Sequence, residues 1–247
     1  NLTCTIKEVY NNQVQASSCT VTAPSITRSG YSIIGYNTSA SSTSNNSSYN
    51  ITSKALTLTT TNNNSTWYAI TSKEVTTTFN KNGASTQTNA SGTAVSDTTV
   101  TRSCTMYNTN ASCSVTSPTI VGSSNTPTVV GYNTSASSTT SSWSHNTAKA
   151  VSANATYYAI TKKAAKTITV TFNKNGASTQ TNSSGTAVSD TTVTRSCTIA
   201  ASYNGTAQAT TCSVTSPTIV GSSNTPTVVG YNTSASLTTS SWSHNTA

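Results

Sequence analysis

Residues 167–172 read Thr-Ile-Thr-Val-Thr-Phe, a strict alternation of hydroxyl and apolar side chains. Successive side chains of a strand point to opposite faces of the sheet. This run therefore predicts a strand with one dry face and one face covered by hydroxyl groups. A shorter alternating run, Thr-Leu-Thr, covers residues 57–59. Thr, Val, Ile and Tyr favour strands, whereas Asn, Ser and Gly favour turns. The pattern predicts an all-β to β-dominated fold.

The composition of the whole chain favours the same fold class. Of the 247 residues, 56 are Thr, 45 are Ser and 26 are Asn, all of them poor helix formers. Only 6% of the residues are charged, and no run of apolar residues is long enough to span a membrane as a helix. Four acidic residues and two histidines leave little acid–base chemistry. We therefore expect no enzyme, no metal site, no cofactor and no membrane insertion in this segment.

Internal repeats divide the chain into three units. A 12-residue segment that begins at Thr78 recurs at Thr171, and residues 91–105 recur as 184–198, both at a spacing of 93. Residues 114–148 recur as 213–247 with one difference, Ser138 against Leu237. A diverged copy precedes these two. We predict unit 1 at 1–74 (diverged and N-terminally incomplete), unit 2 at 75–166 (complete) and unit 3 at 167–247 (C-terminally incomplete).

The incomplete terminal units have two interpretations. In the first, the chain is a window from a longer array of repeats, whose neighbouring repeats are its main partners. In the second, neighbouring chains donate the missing strands, as in a strand-donation polymer.

Six cysteines fall as one pair in each unit: Cys4 and Cys19, Cys104 and Cys113, Cys197 and Cys212. Duplication copies both partners together, so we expect each pair to form a disulfide within its unit. The residues between them predict a strand, a turn and a second strand. Such a disulfide would stabilise the unit by roughly 2–3 kcal/mol. Disulfides indicate an oxidising location outside the cytosol, and the spacing lacks the close Cys-x-x-Cys pattern of a zinc site.

The order of motifs within a unit resembles the Listeria–Bacteroides repeat, also called the internalin B-repeat. The resemblance is carried by the strand Thr-Val-Thr-Phe-Asn-Lys-Asn-Gly (169–176), a Pro-containing connection at 116–120, the Gly-Tyr-Asn-Thr segment at 131–134 and the closing Tyr-Tyr-Ala-Ile (157–160). It covers the skeleton of each unit, although Ala follows Gly83 and Gly176 where the family has a second Gly. It implies β-grasp-like modules in the extracellular stalk of a bacterial surface protein. We therefore expect a tandem array of small β-grasp-like or β-sandwich repeats, each with one internal disulfide.

Several residues are candidates for chemistry, each with a simpler structural alternative. Lys81 with Asp97, and Lys174 with Asp190, occupy equivalent places and could form isopeptide bonds in a dry core; exposed turn lysines are the alternative. The three tryptophans could stack on sugars, although packing in the core is the expected use: Trp67, Trp143, Trp242. His145 and His244 could complete a Ser–His–Asp triad, but no Gly-x-Ser-x-Gly motif accompanies them.

The formal charge of +8 is scattered along the chain, which argues against a nucleic-acid partner. The densest group, Lys162, Lys163 and Lys166, predicts a solvated linker; weak attraction to anionic wall polymers or mucin is the alternative. We expect a structural stalk, fibre or filament on a bacterial cell surface or in a secreted appendage. The alternatives are an adhesin that binds host or wall glycans or a host protein, and a subunit that assembles with identical chains into a filament.

Overall fold

The computed structural model describes all 247 residues and is all-β, with 19 strands and no helix. The strands are β1 (Ser18–Thr22), β2 (Ser32–Asn37), β3 (Tyr49–Asn50), β4 (Ala55–Thr59), β5 (Tyr68–Asn80), β6 (Thr86–Thr88), β7 (Ala94–Val95), β8 (Thr99–Tyr107), β9 (Cys113–Thr116), β10 (Ile120–Val121), β11 (Thr128–Asn133), β12 (Ala148–Val151), β13 (Ala155–Lys163), β14 (Lys166–Asn173), β15 (Thr179–Thr181), β16 (Ala187–Val188), β17 (Thr192–Ile199), β18 (Ser202–Tyr203) and β19 (Ile219–Val220). The all-β expectation is confirmed, and no helix is present that could cross a membrane.

A mixed six-stranded sheet, the central sheet, holds most of unit 2. Its strand order is β11-β13-β5-β2. Strand β8 also pairs with β5, and strand β18 pairs with β13. Strands β5 and β13 run parallel, and each is flanked by an antiparallel neighbour, β8 and β11 respectively. Parallel pairing needs a long connection, and residues 81–154 supply it. The five remaining sheets have two or three strands each.

Strand β5 belongs to both unit 1 and unit 2. It is 13 residues long and runs through the predicted boundary at 74/75. Its first half pairs with β2 of unit 1, and its second half pairs with β8 and β13 of unit 2. The backbone hydrogen bonding of the central sheet is therefore shared between the two units, with no linker between them.

The main hydrophobic core lies in unit 2 and contains 11 buried residues. Phe79 at its centre contacts Tyr132 and Trp143 edge to face, with ring centroids 4.9 and 5.2 Å away. Unit 3 repeats this cluster with Phe172 against Tyr231 and Trp242, at 4.7 and 5.1 Å. Aromatic pairs of this kind add about 0.5–1.5 kcal/mol beyond the area that they bury.

A buried glutamine lies beside each aromatic cluster. Gln87 and Gln180 are both 0% exposed. The Gln87 amide donates to the carbonyl of Phe79 at 3.0 Å, and its oxygen accepts from the hydroxyl of Tyr132 at 3.3 Å. Gln180 and Tyr231 repeat the second bond at 3.1 Å. Burial raises the pKa of Tyr132 well above its usual range and that of Tyr231 to about 12. Each core thus contains a satisfied polar pair that orients its tyrosine.

Three disulfides join the pairs expected from the sequence: Cys4–Cys19, Cys104–Cys113 and Cys197–Cys212. The strand, turn and second strand expected between the paired cysteines are present only in unit 2, because no strand carries Cys4 or Cys212. In unit 2 the two strands do not pair with each other. Strand β8, which carries Cys104, pairs with β5, whereas β9, which carries Cys113, pairs with β12. The middle disulfide therefore links two sheets rather than two partners of one hairpin. We name the residues between the paired cysteines the cysteine loop of each unit.

The exposed surface of the chain is large for its mass. The accessible area is 14511 Å² for 25.4 kDa, about 1.4 times the value of roughly 10,300 Å² expected for a compact monomer of this size. Only 33 of 247 residues are buried. A chain of small, separate cores exposes this much surface, whereas one large core would not.

Candidate unit-to-unit interface

The tip of each cysteine loop carries a Tyr-Asn dipeptide at residues 10–11, 107–108 and 203–204. The asparagine of each pair has a positive φ: 53° at Asn11, 51° at Asn108 and 53° at Asn204. Asparagine tolerates this left-handed conformation better than most residues. The conformation turns the chain back at the tip and leaves the asparagine side chain free to reach a neighbouring unit.

Asn108 of unit 2 binds unit 1 with both ends of its side-chain amide. Its Nδ2 atom donates to the carbonyl oxygens of Ala40 and Ser42 at 3.0 and 2.9 Å. Its Oδ1 atom accepts from the backbone N–H of Thr71 at 3.1 Å, and its own N–H donates to the Thr71 carbonyl at 2.9 Å. The guanidinium of Arg28 closes the site by donating to Thr71 Oγ1 at 2.9 Å and to the Asn108 carbonyl.

Asn204 of unit 3 makes the same contacts with unit 2. Its Nδ2 atom donates to the carbonyls of Ala136 and Ser138 at 3.0 and 3.1 Å. Its Oδ1 atom accepts from the N–H of Thr161 at 3.3 Å, and its N–H donates to the Thr161 carbonyl at 2.9 Å. The two junctions therefore use one arrangement of hydrogen bonds at corresponding positions.

Threonine takes the place of the Arg28 guanidinium in the second junction. The Thr126 hydroxyl lies 2.8 Å from Thr161 Oγ1 and accepts from the N–H of Gly205 at 3.0 Å. Asn125 adds a bond to the Gly205 carbonyl at 3.0 Å. Thr126 and Thr161 are both 0% exposed, so water does not reach their paired hydroxyls.

We name residues 37–44, 133–140 and 232–239 the acceptor loops, because the carbonyls that bind Asn108 and Asn204 lie in the first two. Each loop is held by its own first residue. The Nδ2 atoms of Asn37, Asn133 and Asn232 donate to the carbonyls of residues 44, 140 and 239 at 3.0, 2.9 and 2.8 Å. The acceptor carbonyls are therefore positioned before any cysteine loop docks, which lowers the entropic cost of docking.

The turn at Asn82 and Gly83 completes the acceptor side of the second junction. Asn82 donates to the carbonyls of Ala136 and Ala159 at 2.9 and 3.0 Å. A Cβ atom on Gly83 would lie 2.3 Å from the carbonyl oxygen of Asn204, which is far closer than any side chain allows. Glycine at position 83 is therefore required by the approach of the next unit.

The structure places both proposed isopeptide pairs outside the hydrophobic cores. The Lys81 ammonium donates to the carbonyls of Ser96 and Ser85 at 2.7 and 3.4 Å, and Lys174 repeats the arrangement with the carbonyls of residues 189 and 178. Asp97 and Asp190 are exposed. Neither pair lies in the dry core that isopeptide formation needs.

The three tryptophans are buried or half-buried. Trp143 is 4% exposed, which leaves no ring face for a sugar, and its indole N–H donates to the Thr147 carbonyl at 3.1 Å. Trp67 and Trp242 are half-buried. The Nδ1 atoms of His145 and His244 are buried and have no hydrogen-bond partner, whereas a catalytic imidazole is oriented through that atom.

No group of three or more His, Cys, Asp or Glu side chains is arranged to hold a metal ion.

Sequence reasoning missed the residues that make the junctions, although a signal was present. The Tyr-Asn dipeptide recurs at the middle of all three cysteine segments, in contexts that otherwise differ. Comparison with protein-family models, with curated proteins and with solved structures found no match for the chain.

Proposed function

We propose that the chain is the structural tandem-repeat region of an extracellular bacterial surface protein, a stalk whose units stack in a fixed relation. The observation that carries this proposal is the repeated junction. Asn108 and Asn204 make the same hydrogen bonds with the preceding unit at corresponding positions. An array in which every junction has the same geometry has a length set by the number of its units, which is the property a spacer needs.

Strand order supports a β-grasp-like module as the unit of the array. In unit 2 the first and last long strands, β5 and β13, lie parallel at the centre, with β8 and β11 antiparallel at the flanks. The last long strand of the unit lies beside the first, so the chain enters and leaves the unit through neighbouring strands of one sheet. The resemblance to the Listeria–Bacteroides repeat is consistent with this arrangement.

The location outside the cell is supported by the three disulfides and by the surface composition. Small cores such as the two clusters of three buried residues gain stability from a covalent cross-link. A surface rich in Ser, Thr and Asn with 6% charged residues is soluble without strong repulsion between neighbouring units. Both properties suit a stalk exposed to the medium.

The test compares the wild-type chain with the double variant Asn108→Gly/Asn204→Gly by small-angle X-ray scattering. Glycine keeps the positive φ and the backbone bonds of each tip but removes the side-chain amide. We expect a single arrangement of units to describe the wild-type profile, and an ensemble with a wider range of dimensions to be needed for the variant.

Asn12→Gly is the matched control, because Asn12 also has a positive φ, of 60°, and lies outside both junctions. Its scattering profile should equal that of the wild type. A wild-type profile that itself requires an ensemble would refute the fixed-spacer proposal. A double variant as rigid as the wild type would show that the shared strand β5 and the backbone bonds, rather than the two asparagine side chains, fix the spacing.

A further inference from the structure

Two asparagine–glycine dipeptides meet at the junction between units 2 and 3. Asn82 and Gly83 belong to a turn of unit 2, and Asn204 and Gly205 form the tip of the cysteine loop of unit 3. A Cβ atom on Gly205 would lie 2.8 Å from the Cα atom of Gly83, so the two turns are in direct contact. This contact requires glycine on both sides and so places a chemically reactive dipeptide at the docking tip.

An asparagine followed by glycine is open to spontaneous deamidation. The backbone nitrogen of Gly205 can attack the side-chain Cγ of Asn204, because glycine has no Cβ to shield that nitrogen. The new N–Cγ bond closes a succinimide ring, the Cγ–Nδ2 bond breaks, and the proton of the Gly205 N–H ends on the leaving nitrogen, which departs as ammonia. Water then opens the ring to give aspartate or isoaspartate. The reaction needs only water and an accessible tip.

Docking restrains both reacting groups. The Gly205 N–H donates to the hydroxyl of Thr126 at 3.0 Å, and Thr126 is 0% exposed. The Nδ2 atom of Asn204 is held by two carbonyls at 3.0 and 3.1 Å, and its Oδ1 atom accepts from the Thr161 N–H at 3.3 Å. Attack on Cγ requires the nitrogen to give up its proton and the side chain to turn away from these partners. Both steps require the tip to leave the junction.

The product cannot dock as the asparagine does. An aspartate at position 204 would place a carboxylate oxygen where Nδ2 lies, 3.0 and 3.1 Å from the carbonyl oxygens of Ala136 and Ser138. Three acceptors would then face one another without a donor, which is unfavourable because none gains a hydrogen bond in exchange for its lost hydration. Isoaspartate also adds a methylene group to the main chain at a tip whose φ of 53° sets the docked geometry. Deamidation therefore converts a reversible opening into a permanent one.

The first junction has the same docking contacts without this chemistry. Its docking residue, Asn108, is followed by Thr109, whose branched Cβ crowds the attacking nitrogen. An undocked Asn108 therefore remains an asparagine for longer and can dock again.

We propose that Asn204 is a spontaneous deamidation site, which is blocked while units 2 and 3 are docked and which prevents their re-docking once it has reacted. The site rests on the proposed stacking function, because the docked junction supplies the protection. The two junctions then have different chemical lifetimes. The first can open and close repeatedly, whereas each opening of the second exposes Asn204 to a permanent change.

The first measurement follows deamidation by peptide mapping with mass spectrometry at mildly alkaline pH, in the native chain and in the chain unfolded by urea. Folding should slow deamidation of Asn204 at least about tenfold, since the reaction then waits for local opening. Thr109→Gly tests the contribution of sequence. In urea it should make Asn108 react as fast as Asn204, whereas Asn108 of the wild type should react more slowly.

The second measurement uses Thr126→Val, which keeps the shape of the side chain but removes the hydroxyl that holds the Gly205 N–H. Deamidation of Asn204 in the folded chain should become several times faster. Thr225→Val is the matched control, because Thr225 occupies the corresponding place in unit 3 and its hydroxyl contacts Ser222 at 2.9 Å. This control should deamidate at Asn204 as slowly as the wild type.

The effect on docking is measured with Asn204→Asp, which carries one of the two products from the start. The Gly205 amide is bound to Thr126 in the docked state, so its hydrogen exchange should become at least about tenfold faster than in the wild type. Asn12→Asp adds the same charge outside both junctions and should leave this exchange unchanged.

Equal rates of Asn204 deamidation in the folded and the unfolded chain would overturn this inference. So would an Asn204→Asp chain whose Gly205 amide stays as protected as in the wild type. Scattering from the wild-type chain separates these results from failure of the stacking proposal. A single arrangement of units combined with either result contradicts the deamidation site alone, whereas a profile that requires an ensemble contradicts the fixed stacking on which the site depends.

Discussion

Replacing Gln87 by leucine should destabilise unit 2 more than the equivalent change, Gln180→Leu, destabilises unit 3. The side-chain oxygen of Gln87 accepts a hydrogen bond from the Tyr132 hydroxyl, and its Nε2 donates to the carbonyl of Phe79. Leucine fills a similar volume but leaves the Tyr132 hydroxyl without a partner, and Tyr132 is 0% exposed. The change therefore tests the polar pair rather than the packing around it.

The expected cost follows from the groups left unpaired. An orphaned buried donor costs about 1–3 kcal/mol and each lost amide bond about 0.5–1.5 kcal/mol, so Gln87→Leu should lower the free energy of unfolding of unit 2 by about 2–4 kcal/mol. Tyr231 is 9% exposed as a residue, against 0% for Tyr132, so its side chain is less completely removed from water. Gln180→Leu should therefore cost less than Gln87→Leu.

Hydrogen exchange measured by mass spectrometry under increasing denaturant resolves the two units, because peptides from β8 and β17 report on them separately. Tyr132→Phe combined with Gln87→Leu removes the orphaned hydroxyl, so the double variant should be more stable than the sum of the single changes implies, by about 1–2 kcal/mol. Equal losses in the two units, or strictly additive changes, would refute the argument that burial of the tyrosine hydroxyl sets the cost.

Three further predictions follow from the same structure. In a spectrophotometric titration of the tyrosines, Tyr231 and Tyr132 should ionise last, with Tyr231 near pH 12. Their pKa values in the folded chain lie above the ordinary 10.0. Their contribution to the free energy of unfolding is therefore full below about pH 10 and is lost as pH rises through the folded pKa values. Gly131→Ala should markedly lower the melting temperature, since a Cβ there would lie 2.7 Å from the Trp143 carbonyl oxygen, whereas Gly92→Ala, with nothing within 4 Å, should cost only its backbone strain. Reduction should add six hydrogens to the intact mass, two for each of the three disulfides, and an unchanged mass would show that no disulfide had formed.

The fold class could be predicted from sequence because it depends on local patterns. Alternation at 167–172 and its neighbours indicated strands, and β14 covers this run with pairing along its whole length to β17. Pairing of cysteines within each unit could be predicted because duplication copies both partners. These inferences need only neighbours in the sequence or the spacing of copies.

The junctions could not be predicted with the same reasoning, because they depend on which residues the fold brings together. Asn108 binds residues 66 and 68 positions earlier in the chain, at Ser42 and Ala40. Because the chain has 26 asparagines, the two that connect units cannot be distinguished from the others by residue type. Gln87 was missed for a similar reason, since a glutamine between two threonines reads as a surface residue until a tyrosine from another strand packs over it.

The shared strand β5 has a consequence for how genes of this kind can change. Its two halves contact different units without a linker between them, so inserting or deleting one residue would reverse which side chains face the core in everything that follows within the strand. Unequal crossing-over between the copies that repeat at a spacing of 93 residues would instead add or remove a whole period, and with it one complete cysteine loop and one complete acceptor loop. The number of units would then change in whole steps, and the asparagine contacts shared by the two junctions would be reproduced at each added unit.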